Sequence, residues 1–344
     1  MSTMKRASTA TGRSLEEMMD AAMGGDRLAL ARMLTMVERG GKSSAKVAQV
    51  SYRSKQRGQT VGITGAPGAG KSTLVEKLIS SAREGGKSQV AVIAVDPTSP
   101  FSGGAILGDR IRMQSHSGDN GVFIRSMASR GHLGGLSMAV PEAMRLLEAV
   151  GMDPVVVETV GVGQVEIEVA SATDTTVVVL NPGWGDAIQA NKAGILEIAD
   201  IFVINKADRP GAKEAVRDLQ QMLDMAFSLG IHPRMVEQPD GMSQELWHPP
   251  VLETVASTGE GVAELWSAIE SHGVYLEESG EGESRRRKRA ERSIALVLEA
   301  EMASQLDKIR SGQMYASLVD ATESGRSDPY EAAEKLIREV GYDR

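Results

Sequence analysis

The chain has 344 residues, with 38 basic against 46 acidic side chains, a net charge of −8, no cysteine and a 41% apolar composition. That length allows one large or two modest domains with a sizeable core, and the acidic balance argues against a broad nucleic-acid surface. No run of about 18 apolar residues exists to span a membrane. Absence of cysteine excludes disulfides, thiolate catalysis and zinc-thiolate sites, and fits a reducing, cytoplasmic setting.

Residues 1–13 lack acids but carry no apolar stripe, so they read as a disordered tail rather than a transit peptide. Ser14-Leu-Glu-Glu is a capping box that opens a short helix, and Asp26 can cap a second with Leu28, Leu30, Met33 and Leu34 on its apolar face. A third helix follows Gly41. Residues 14–57 therefore form a small helical region.

A nucleotide-binding domain is expected over 58–275. Gln59 to Thr64 is a β-branched run, and residues 73–79 have helical apolar spacing. Between them Gly65, Gly70, Lys71 and Ser72 complete the G-x-x-x-x-G-K-[ST] pattern of a P-loop. The glycines let the backbone N–H groups converge on phosphate oxygens. Lys71 then reaches the β and γ phosphates, and the Ser72 hydroxyl binds Mg²⁺. Gly65, Gly68, Ala69, Gly70, Lys71, Ser72 and Thr73 are the candidate cradle.

Largely apolar runs at Gln89 to Val95, Gly121 to Arg125, Pro154 to Glu158, Thr175 to Leu180, Ile201 to Asn205 and Val251 to Val255 read as buried parallel strands. A doubly wound α/β sheet of the P-loop NTPase class follows. Asp96 and Glu158 stand at strand ends, and Asp109 sits in Gly103-Gly-Ala-Ile-Leu-Gly-Asp. Such carboxylates can hold Mg²⁺ and its waters, although Asp96-Pro-Thr-Ser is also good turn chemistry. A bare carboxylate ending a Val-Val-Val strand, as at Glu158, is costly unless paired or on a metal.

Glu158-Thr-Val-Gly161 stands where many GTPases carry Asp-x-x-Gly followed at once by a water-positioning glutamine, and Val162 takes that glutamine's place. Slow unaided hydrolysis is expected. Gln164 substitutes if the loop folds inward, and is otherwise a surface or interface residue. Lys192, in the helix ahead of Asn205, either reaches the phosphates or a switch carboxylate, or is a solvated lysine.

Asn205-Lys-Ala-Asp208 follows a strand directly. Asp208 can accept two hydrogen bonds from guanine N1–H and its exocyclic amine, a pattern adenine cannot supply, while Asn205 and Lys206 hold the base and the loop. Thr254-Val-Ala-Ser follows the last strand, where the N–H of Ala256 is expected to face guanine O6. GTP is thus favoured over ATP.

Residues 276–344 read as a helical arm: a polar stretch through Ser284, a helix from about 285 to 311 with Ile294, Leu296, Val297, Leu298, Met302, Leu306 and Ile309 on it, and a last helix capped by Asp328 with Pro329 in its first turn. The apolar stripe packs on another subunit or back on the nucleotide-binding core. Arg285-Arg-Arg-Lys-Arg reads as a solvated start of the helix flanked by acids rather than a nucleic-acid patch. The five histidines show no metal-ligand spacing.

Taken together, the P-loop, Val95-Asp-Pro-Thr-Ser, Gly103-Gly-Ala-Ile-Leu-Gly-Asp-Arg, Gly131-His-Leu-Gly-Gly, Glu158-Thr-Val-Gly-Val-Gly-Gln and Ile204-Asn-Lys-Ala-Asp resemble the MeaB/ArgK/MMAA family over roughly residues 20 to 320. The resemblance implies a GTPase of the SIMIBI type that acts as a chaperone of adenosylcobalamin-dependent acyl-CoA mutases, gating cofactor loading and protecting the mutase. It implies that Lys71 and Ser72 hold phosphate and Mg²⁺, and that Asp96, Asp109 and Glu158 form the metal and hydrolysis cluster. Gln164 is then in a switch loop, Lys192 links switches to nucleotide, and Asn205, Lys206 and Asp208 read guanine. A homodimer through the C-terminal arm is implied as well. Asn181-Pro-Gly-Trp-Gly-Asp departs from the commonest members, and Asp208-Arg-Pro-Gly-Ala resembles the GTPase part of fused isobutyryl-CoA mutases, which bears on the partner's identity. The competing class is a P-loop kinase acting on a small molecule or transport protein, matching an older label of arginine and ornithine transport kinase.

Overall fold

The computed structural model describes residues 13–96, 114–116, 118–128, 139–159, 164–183, 197–228 and 246–339. Among these residues seven strands form one parallel sheet: β1 (Thr60–Gly65), β2 (Val90–Asp96), β3 (Val122–Ala128), β4 (Val155–Thr159), β5 (Thr175–Leu180), β6 (Ile201–Asn205) and β7 (Val251–Thr254). Their spatial order is β3-β2-β4-β1-β5-β6-β7. Every pair is parallel, with Ile63 opposite both Glu158 of β4 and Val177 of β5. Strands buried on both faces need no polar alternation, which is why β1, β4, β5 and β6 read as continuous apolar runs.

Helices cover both faces. On one, α4 (Lys71–Glu84) and α8 (Val262–Glu278) bury Leu74, Leu78, Leu265 and Ile269 against Val61, Ile63, Val177 and Val203. On the other, α5 (Ala139–Ala149) and α6 (Gln164–Ala172) pack with α1 (Leu15–Met23), α2 (Arg27–Arg39) and α3 (Gly41–Arg53) over Ile93, Val95, Val155 and Val157. Farther along that face α7 (Ala212–Ser228) lays Leu219 and Leu223 on Phe202 and Ile204. Fully burying a side chain such as Phe202 is worth about 2–3 kcal/mol before entropy is counted. β1 lies at the centre, where neighbouring crossovers run to opposite sides and the crevice beyond the strand ends opens.

The capping box forms as expected, with Ser14 Oγ accepting from Glu17 N at 3.1 Å and Ser14 N donating to Glu17 Oε2 at 2.7 Å. Asp26 accepts from Ala29 N, from Arg13 Nη1 at 2.8 Å and from Leu28 N, which holds its carboxyl below its ordinary value. Leu28 departs from expectation: it is exposed, and the buried stripe of α2 is Ala29, Leu30, Met33, Leu34 and Val37. The reason is angular, since two residues turn a helix by about 200° and carry Leu28 away from Leu30.

The polar stretch 277–284 is helical on both sides of a short turn. α8 runs through Glu278, and after a turn at Ser279 and Gly280 (φ +72°) α9 begins at Glu281 and continues to Arg310. Arg285 is likewise not solvated: its side chain is 17% exposed and forms an ion pair with the fully buried Asp200. Contacts divide the chain at Arg287/Lys288. The second unit comprises the remainder of α9, α10 (Gln313–Glu323) and α11 (Pro329–Glu339). Within it Ile294, Leu298, Met302 and Leu306 are exposed at four-residue intervals on α9, the spacing of a single helical face.

Candidate nucleotide site

β1 ends at Gly65, whose φ of +135° suits glycine and whose added Cβ would meet Val179 O at 2.0 Å. The chain then curls through Ala66–Gly70 into α4. Gly70 precedes the helix in a left-handed conformation (φ +95°) with no side-chain cap, so the first-turn N–H groups of α4 are directed outward as anion donors. Lys71 and Ser72 occupy that turn, 6% and 8% exposed. Lys71 Nζ donates to the carbonyl oxygens of Gly65 at 2.5 Å and Ala66 at 3.0 Å, which folds the ammonium back over the loop it must serve. Thr73 is exposed.

Ser72 Oγ donates to Glu158 Oε1 at 2.5 Å. Glu158 is 0% exposed, placed by β4 one strand from the P-loop. A hydroxyl and a carboxylate converging on one point at the strand ends form an oxygen donor set, the chemistry that a small hard cation such as Mg²⁺ takes. Among the described residues no group of three His, Asp or Glu side chains forms a metal site. Asp109 and Lys192 lie outside the described residues, as do Gly161 and Val162. The backbone of Asp96 ends β2 and that of Gln164 opens α6, but their side chains too fall outside what is described.

The guanine motif reaches the cradle directly. Asn205 is 1% exposed, and its Nδ2 donates to Ala69 O at 2.7 Å while its Oδ1 accepts from Thr254 Oγ1 at 3.1 Å and from Ala256 N at 3.0 Å. The N–H of Ala256, expected to face guanine O6, is therefore turned onto Asn205. Only glycine fits beside this amide, because a Cβ on Gly70 would stand 2.3 Å from Asn205 Nδ2. Lys206 adopts a φ of +61°, unusual for a residue with a Cβ, and its Nζ donates to Gly68 O at 2.6 Å. Such strain of about 1 kcal/mol or more persists where neighbours fix the backbone; Ala207 N does so by donating to Thr254 O at 3.1 Å. Asp208 is exposed on the turn that follows. Thr254 received no role from the sequence, though its place heading Thr-Val-Ala-Ser was the available signal.

The P-loop, the Asn205 to Asp208 turn and the Ser72–Glu158 pair all stand at the C-terminal ends of the parallel strands. The family model described as methylmalonyl-CoA mutase-associated GTPase MeaB matches residues 30–310. The chain belongs to this family. It is a GTPase, and its fold and guanine-nucleotide chemistry are those of the group. A protein of Pyrococcus abyssi named as a GTPase is 45% identical over 327 residues, spanning 95% of this chain and 97% of that one. The methylmalonic aciduria type A homolog of Caenorhabditis elegans is 32% identical, spanning 94% and 82%. Among solved structures, one described as an LAO/AO transport system kinase superposes with a TM-score of 0.60 at 27% identity, covering 95% of this chain and 97% of that one. Among the described residues no helix is long and apolar enough to cross a membrane.

Proposed function

We propose that this GTPase is a switch that gates adenosylcobalamin loading into a cobalamin-dependent acyl-CoA mutase, methylmalonyl-CoA mutase or a relative, and protects that mutase. The nucleotide half is carried by Asn205, which binds the P-loop at Ala69 and the β7 loop at Thr254 and Ala256 with one side chain. Base identity and phosphate grip are thus read by one connected unit. The mutase half is supported by the family's description and by the methylmalonic aciduria relative.

In this reading Gly65, Gly68, Ala69, Gly70, Lys71, Ser72 and Thr73 hold the phosphates. Asn205, Lys206 and Asp208 hold guanine, and Ala256 N fixes the Asn205 amide. Ser72 and Glu158 would supply oxygens to Mg²⁺, joined by Asp96 and Asp109, and the ion would offset charge on the phosphates. Gln164 and Lys192 act at the switches. Residues 14–57 are the N-terminal helical region, 58–275 the GTPase domain and 276–344 an arm that forms a homodimer through the exposed face of α9. The protein works in the cytoplasm.

The test is one turnover experiment on the full chain. GTP hydrolysis is expected to be slow alone and faster when a cobalamin-dependent acyl-CoA mutase is added, with all γ-phosphate released to water. Labelled phosphate appearing on arginine, ornithine or a transport protein faster than in water would establish the kinase reading instead, the activity named for the solved structure of similar fold.

A further inference from the structure

At the opposite end of the sheet from the nucleotide lies a buried polar assembly with no part in binding or hydrolysis. Its centre is Asp200, 0% exposed, immediately before β6. Oδ1 accepts from Arg285 Nη2 at 2.9 Å and faces His272 Nε2 at 3.0 Å. Oδ2 accepts from Thr176 N at 2.7 Å and from Arg285 Nη1 at 3.2 Å. Its backbone oxygen accepts from Trp247 Nε1 at 2.8 Å. One residue therefore joins β5, α8, α9 and the segment leading into β7.

The partners are themselves fixed. His272 is fully buried, with Nδ1 2.8 Å from Thr175 Oγ1, and Gln59 Nε2 donates to that hydroxyl at 3.2 Å. Nδ1 and Thr175 Oγ1 share a hydrogen bond, and Nε2 lies within ion-pair distance of Asp200 Oδ1. This aspartate, histidine and threonine chain resembles a nucleophilic triad, but its burial beneath the sheet bars any substrate. Arg285 Nη1 also donates to Asp174 O at 2.6 Å, and Glu281 Oε1 accepts from Arg285 Nε at 2.9 Å. All these residues precede the division at Lys288.

A buried acid needs its partners, because removing one leaves an uncompensated charge at a cost of several kcal/mol. β6 leads from Asp200 directly to Asn205, a span of about 17 Å, while α8 leads from the loop of Ala256 to His272, about 15 Å of helix. Two rigid elements thus connect the base-reading turn to one carboxylate, and that carboxylate holds the first turn of α9.

We propose that Asp200 is a positioning residue through which the nucleotide site and the root of the C-terminal helix are coupled, Arg285 being the contact that passes the change on. The coupling rests on the reading of Asn205 to Asp208 as the guanine site. A displacement of β6 or α8 when the nucleotide changes alters the geometry of the Thr176, Arg285 and His272 groups around one fixed acid, and the root of α9 must follow.

Hydrogen exchange of the full chain over residues 279–290, measured free, with GDP and with a non-hydrolysable GTP analogue, tests this. In the wild type, exchange is expected to differ at least about fivefold between the two nucleotides, within the usual range of coupling between sites. Arg285→Met is expected to raise exchange at the root in all states and to remove the nucleotide dependence, with affinity for GTP unchanged. Arg285→Lys, which keeps the charge without the two-pronged geometry, serves where the methionine variant does not fold and is expected to weaken the dependence. Nucleotide-independent exchange in a wild-type chain that binds GTP overturns the coupling, as does a variant that keeps the full dependence. A wild-type chain that binds no GTP overturns the guanine reading and the coupling with it, and the binding isotherm separates these failures.

Discussion

Asn205 Nδ2 and the carbonyl oxygen of Ala69 are 2.7 Å apart although 136 residues separate them in sequence. This contact orients the amide, since Nδ2 must face a carbonyl and Oδ1 is left for the donors Thr254 Oγ1 and Ala256 N. Replacement by alanine strands three buried groups at once. Asn205→Ala is expected to cost about 2–3 kcal/mol of stability, measured by chemical denaturation, and to weaken GTP binding; a loss below about half of that would show that water replaces the amide.

Asp208 is exposed on the turn after this anchor, so its substitution separates recognition from folding. Asp208→Asn turns one of two acceptors into a donor. GTP affinity should fall roughly 10- to 100-fold, the worth of a hydrogen bond to a charged group, and xanthosine triphosphate should gain, with an unchanged melting temperature. Fluorescent-nucleotide titration reads both numbers, and equal affinity of variant and wild type for GTP would remove Asp208 from the base site.

Lys71 lies folded over the carbonyls of Gly65 and Ala66. On the proposed reading this charge must move onto phosphate to act in hydrolysis. Lys71→Ala is expected to lower kcat by about 100-fold or more, as loss of a transition-state donor does, with helical content retained by circular dichroism. Turnover at the wild-type rate would place the phosphates elsewhere.

Glu158 is buried against Ser72, so the pair should set the metal dependence of turnover. Glu158→Gln keeps the hydrogen-bond acceptor but removes the charge. The Mg²⁺ concentration for half-maximal hydrolysis should rise about tenfold, one charged ligand contact being worth on the order of 1.5 kcal/mol; an unchanged Mg²⁺ curve would assign Glu158 to structure alone.

Away from the site, Glu142 of α5 accepts from Ser44 of α3, and burial pushes its carboxyl above the ordinary value of 4.5. A raised acid favours the fold when protonated, so its contribution is fully present below pH 4.5 and is lost as pH rises through the elevated value. Glu142→Gln removes the charge and keeps the acceptor. It should raise the melting temperature at pH 8 and leave it nearly unchanged at pH 4, and a shift of equal size at both would attribute the effect to packing.

Much of the site was legible because P-loop chemistry is local. Gly65 to Ser72 are consecutive, and the strand and helix flanking them have short-range signatures in branching and spacing. Asn205 and Asp208 were equally readable as types at fixed spacing. Ala256 was not fully readable: its amide direction depends on Asn205, which comes from another strand. Arg285 misled, since a basic run beside acids looks solvated until Asp200 is brought beneath it. Leu28 misled for a simpler reason, a stripe read by hydrophobicity without its angle.

By itself the sequence determined that this chain folds as a parallel α/β sheet and carries a P-loop and an Asn-Lys-x-Asp run after a strand, because each property is written in periodicity or in a run of a few residues. The tertiary structure decided which carboxylate meets Ser72, how one asparagine joins the P-loop to the β7 loop, and that Asp200, His272 and Arg285 share one buried point. Those are pairings across strands and helices distant in sequence. Strand order and helix direction bring them together, and no local pattern records it.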